Sequence, residues 1–403
     1  MPVHREARKI RLMCYDITTV SNDVPVTELE RENKNSNKSL IISLVIGGIL
    51  LAVLIGLIYS MFFKRKTYTS YIETDTYSVP AESMYTRYNN GFVRYSSDGA
   101  EATADGKSLW NISYDIKKPI VDTNGDFCVI AERGGHEIHV TDGKSANYVI
   151  NVSDRIFDVR VASQGVVAVW TDAVEKDHIF IYNYDGTKLL DIETSVASDG
   201  FPIALDLSAD GTRLVTSYAK FADEIQTWVT FYNFGNVGQN YSDRMVGSLE
   251  FPGKIVPDVR FVDNSRVAVF YENGCTLYDM KEIPKEIKKI EAERLVAIAY
   301  DNENVCLAES RSDGTTSFIV VDKKGNISEN IVTGMSFNGL YLEGDELIVY
   351  NNSSMIIYYL DGEEKFRTQV NGRIRNIFPA GKDRYTVTGI GAVSTIELVT
   401  DDE

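Results

Sequence analysis

Residues 156–192 read IFDVRVASQGVVAVWTDAVEKDHIFIYNYDGTKLLDI. Val, Ile, Phe and Tyr fall in short runs broken by polar turn residues, which is how strands read. The first run is IFDVRVAS (156–163) and the second GVVAVWT (165–171). The third, IFIYNYDGTKLLDI (179–192), holds an Asp-Gly that supplies the positive-φ position of a tight hairpin. The stretch therefore predicts four consecutive antiparallel strands.

The same unit recurs along the chain. The second run is one of eight copies, beginning GFVRYSS (91–97) and DFCVIAE (126–132) and ending DELIVYN (345–351) and DRYTVTG (383–389). The first run reappears as PIALDLSA (202–209), VPDVRFVD (256–263) and LVAIAYDN (295–302), and the hairpin as EIHVTDGKSANYVI (137–150) and MIIYYLDGEEKFRT (355–368). The 337 residues after Lys66, shared among eight units, give about 42 each, the period of propeller blades. The expected fold is all-β, an eight-bladed propeller with seven blades as the alternative. The last unit has room for three strands. TYTSYIETDTYSV (67–79) is the candidate fourth, joining the two ends and leaving no free edge. One segment departs from the pattern: KEIPKEIKKIEAE (281–293) looks helical, although Pro284 interrupts it.

Ahead of the repeats, Ser39 to Phe63 is 25 residues without a charge, long enough to span a bilayer as a helix. Lys64, Arg65 and Lys66 would anchor one end. Gly48, Ala52 and Gly56 recur every four residues, a face that lets two such helices approach closely and allows a homodimer through the helix. The chain then divides into a basic, polar tail (1–38), a transmembrane helix (39–63), a stalk with the closing strand (64–82), a propeller (83–398) and an acidic end (399–403). Residues 1–66 hold 10 basic and 6 acidic side chains, which leaves 31 and 52 for the rest, a charge of −21. Near the helix the basic residues are balanced at three a side. The four further ones in the tail, Arg5, Arg8, Lys9 and Arg11, favour a cytoplasmic N-terminus and an extracellular propeller.

With its Trp110, ATADGKSLWNI, like FIYNYDGTKLLDI, resembles the quinoprotein-like and WD-like propeller repeats. The order of tail, single membrane helix and C-terminal propeller is similar to that of a family of Gram-positive bacterial membrane proteins with no assigned activity. The resemblance spans roughly residues 39–398 and implies a propeller outside the cell membrane. The quinone- and calcium-binding residues of quinoprotein dehydrogenases have no counterpart here, so no cofactor is expected.

Candidate chemistry is sparse. The overall charge of −17 argues against nucleic acid. Of four histidines, His136 and His139 form HEIH on a strand, where positions three apart face opposite sides and do not chelate one ion. No nucleophile elbow, phosphate loop or metal motif occurs. Cys128, Cys275 and Cys306 lie in strand-like runs and read as reduced core residues; Cys14 lies in the tail. Asp158, Asp206 and Asp258 recur in the first run of their units and are candidates for an acidic ring at the channel mouth, able to bind cations or basic peptides. The expected role is a non-catalytic binding or scaffold module of the cell envelope with a protein or cell-wall ligand. The alternatives are a carboxylate-based hydrolase or lyase, and a sensor signalling through helix dimerisation.

Overall fold

The computed structural model describes residues 42–56, 65–144, 147–173, 176–221, 224–370 and 372–400. They form two units, divided after Arg65.

In the first unit residues 42–56 are α-helical, with every side chain exposed. Among the described residues no helix is long and apolar enough to cross a membrane. Residues 39–41 and 57–63 of the expected span, with Lys64 and the tail 1–38, lie outside the described residues. Gly48 and Gly56 both border open space.

The second unit is eight four-stranded antiparallel sheets. Blades 1 to 7 are Met84–Ser113, Pro119–Asn151, Arg155–Thr194, Phe201–Pro252, Asp258–Glu291, Leu295–Thr333 and Gly339–Gln369. Within each, strands run in chain order from inner to outer. The eight recurrent runs such as GVVAVWT are the second strands, and IFDVRVAS and its relatives are inner strands. Blade 8 takes Ile374–Pro379, Arg384–Gly389 and Ala392–Val399 from the C-terminal end and Ser70–Ser78 as its outer strand. That strand pairs from Ser70↔Val399 to Ser78↔Ala392, so the ring closes as the sequence predicts.

Second and third strands carry the core because both their faces meet neighbouring blades. Val167 and Val169 pack with blade 2, while Ala168 and Trp170 pack with blade 4. Each blade interface repeats this alternation, giving one apolar layer per pair of blades. Cys128, Cys275 and Cys306 are free thiols in these layers, and burial raises all three, Cys275 to about 12.

The helical expectation for 281–293 is overturned, since Lys285–Glu291 is the outer strand of blade 5. Leu277 pairs with Lys288 and Tyr278 with Glu286, which leaves Ile287 as the extra residue of a bulge. The bulge turns Ile287 and Ile290, three apart, toward one core layer, so a strand here imitates helical spacing.

Candidate functional site

The register of inner against second strands sets one level of side chains around the channel. Successive blades place there Thr86, Asp122, Arg160, Asp206, Arg260, Ala299, Tyr341 and Phe378, opposite Val93, Val129, Ala168, Val215, Ala268, Cys306, Ile348 and Thr386. Blades 2 to 5 thus alternate acid and base, and blades 6 to 8 are apolar or aromatic.

Each charged member reaches the next blade. Asp122 Oδ2 accepts the Val161 N–H at 2.8 Å. Arg160 Nε lies 3.6 Å from Asp206 Oδ1. Asp206 Oδ2 accepts the Phe261 N–H at 2.6 Å, and its Oδ1 lies 3.8 Å from Arg260 Nη1. The Arg260 guanidinium sits over the Tyr300 ring, 5.2 Å from its centroid. Asp158 and Asp258 hold the arginine two residues on in their own strands, at 2.8 and 2.9 Å. On the other side Tyr341 meets Phe378 edge-on and Phe378 stacks on Phe92 of blade 1.

The three predicted aspartates therefore share one network, but not as an acidic ring. Arg160 and Arg260 stand among them, and Asp206 occupies the arginines' register rather than that of Asp158 and Asp258. Burial pushes the Asp206 carboxyl up to about 6 against the pull of Arg260 and Arg160, and raises Asp122 as well. Burial opposes the charge of Arg160, yet Asp158, Asp122 and Asp206 hold its guanidinium above its ordinary value. The repeated Asp-Val-Arg at 158–160 and 258–260 was the signal for the arginines. Asp122 lies in PIVDTN, which shares little sequence with the other inner runs.

A second cluster sits where the closing strand begins. Lys365 is 2% exposed, with its Nζ 2.5 Å from Glu346 Oε1, 2.7 Å from Asp383 Oδ1 and 2.9 Å from the Tyr385 hydroxyl. The rings of Tyr68, Tyr359 and Tyr385 surround it at 5.5–5.7 Å. The Tyr68 N–H donates to the Lys365 carbonyl and the Tyr359 hydroxyl to the Lys66 carbonyl. Lys365 is the extra residue of a bulge between the pairs Tyr358↔Glu364 and Ile357↔Phe366, which turns adjacent Lys365 and Phe366 both inward.

A groove of about 580 Å³ opens between blades 2 and 3, bordered by Phe127, Asp142, Asn147, Tyr148, Gln164, Tyr184 and Asp185. The three described histidines stand apart from it as separate pairs: His136 with the Asp154 carbonyl, His139 with Glu137, and His178 with Asp191. Among the described residues no three His, Cys, Asp or Glu are grouped to hold a metal ion.

Fold and network together define an eight-bladed β-propeller whose channel charges bind blade to blade. Residues 64–398 match the model of a family of unknown function, DUF5711, and the chain belongs to that family. No curated protein sequence matches the chain. Solved structures share the fold. The chain is similar to BamB from Moraxella catarrhalis (TM-score 0.54, 13% identity, 82% of this chain and 100% of that one). It is also similar to the computationally designed Ika8 protein (0.55, 10%, 83% and 100%). A third is apo AztD from Citrobacter koseri (0.50, 12%, 79% and 90%).

Proposed function

We propose that this protein is a membrane-tethered, non-catalytic binding or scaffold module of the cell envelope, its propeller outside the cell. The observation that carries the reading is the saturation of the channel. The carboxylates an acid–base enzyme would need there are each engaged by a backbone N–H or an arginine. What remains for recognition is a rigid ring and its loops. The uncharged run 39–63, helical over 42–56, supports the tether.

Protease treatment of intact cells with the wall removed, followed by crosslinking to envelope components, tests this reading. Digestion of the propeller and capture of envelope partners are expected. A propeller protected until lysis overturns the orientation. A second reading, a sensor signalling through helix pairing, is favoured by the small-residue face of Gly48, Ala52 and Gly56. Gly48→Leu with Gly56→Leu then abolishes intermolecular crosslinking, and unchanged crosslinking removes that reading.

A further inference from the structure

The groove between blades 2 and 3 has a volume within the ~300–1,000 Å³ range of ligand clefts. Its floor is built in advance. The Phe127 ring lies on Gly165, where φ is +86° and a Cβ would come within 2.5 Å of ring carbon Cε1. The Tyr148 ring rests beside Gly186, and its hydroxyl lies 3.3 Å from the Asn183 carbonyl. A side chain at Gly165 would displace the Phe127 ring, while at Gly186 a Cβ would lie 3.5 Å from the Tyr148 ring, in ordinary contact with it. Above this floor Tyr184 is 54% exposed.

The polar groups at the rim share one sign. Asp142 and Asp185 border the groove, and among the described residues neither lysine nor arginine lines it. The backbone N–H and hydroxyl of Thr187 hold the Asp185 carboxyl below its ordinary range, so it stays ionised well under neutral pH. Ring faces beside carboxylates, with the Asn147 amide at hand, attract a cation more than an anion.

We propose that this groove is a recognition site for a cationic side chain, Lys or Arg, presented by a partner protein. The inference rests on the binding-module reading and gives it a place and a ligand chemistry.

The test uses the full chain in detergent micelles and three capped tripeptides, Ac-Gly-Lys-Gly-NH2, Ac-Gly-Arg-Gly-NH2 and the neutral Ac-Gly-Gln-Gly-NH2, followed by calorimetry. The cationic peptides are expected to bind about tenfold or more tightly than the neutral one. Tyr184→Phe keeps this preference because the ring face is kept. Tyr184→Ala and Asp185→Asn each weaken cationic binding about fivefold or more, and Tyr241→Ala, on blade 4, leaves it unchanged. Equal binding of neutral and cationic peptides, indifference to Tyr184→Ala, or no binding at millimolar peptide overturns the proposal. Partner crosslinking on cells separates the two readings. If the wild type captures envelope partners while the peptides fail, only the groove is wrong. If the wild type captures none, the scaffold reading fails whatever the peptides do.

Discussion

Lys365 is held by two carboxylates and a phenol in a place water barely reaches. Removing one partner of such a set leaves the others buried and uncompensated. Lys365→Met should therefore cost about 3–5 kcal/mol in urea unfolding. Lys188→Met, at an exposed ion pair, should stay within about 0.5 kcal/mol. Two aspartates set opposite pH trends. Burial raises Asp206 to about 6, so the fold holds that proton more tightly than the unfolded chain does. Stability then falls as pH rises from about 4 to about 6, by about 3 kcal/mol, and Asp206→Asn should flatten this slope. Burial opposes ionisation of Asp383, but Lys365 and Tyr68 hold it below its ordinary value. Its contribution is present above about pH 4 and is lost on further acidification. Urea midpoints at pH 3, 4, 5, 6 and 7 for wild type and variant check both trends. At this scale the aspartates were legible because Asp recurs in aligned runs. Lys365 was not, because a single lysine in EKFRT reads as surface until a bulge turns it inward.

Elements show why some strands read clearly and others do not. Second strands meet other blades on both faces, so their apolar-rich runs mark all eight repeats in the sequence. Outer strands are half solvated, and in seven of the eight blades their pairing is shifted by an irregularity. An extra residue breaks two-residue alternation, which is how 281–293 came to look helical. Ile290 is 3% exposed, so Ile290→Ala should cost about 2–4 kcal/mol, against less than about 0.5 kcal/mol for exposed Lys288→Ala. The hairpin before this strand depends on Gly274, whose φ is +143° and where a Cβ would fall 2.0 Å from the Ile290 carbonyl oxygen. Gly274→Ala should destabilise far more than Gly253→Ala, where φ is also positive (+66°) but the space around it is open. Thermal unfolding of the two variants compares them directly.

Across the whole molecule, repeat spacing revealed the ring, its blade count and the strand that closes it. The channel network stayed hidden because inner strands from different blades have no sequence relation that pairs Asp206 with Arg260 or Arg160. Closure has a direct test. A chain lacking residues 67–78 exposes the Ala392–Val399 edge, and size-exclusion chromatography should show self-association where the full propeller runs as a single species. The same joint orders events during synthesis. Ser78 and its partner Ala392 are 314 positions apart, so the closing strand leaves the ribosome on the order of tens of seconds before anything exists for it to pair with. Its sequence, SYIETDTYS, is suited to that wait. Eight of its nine residues remain exposed even in the finished ring, so it loses little by standing in water while the other blades assemble.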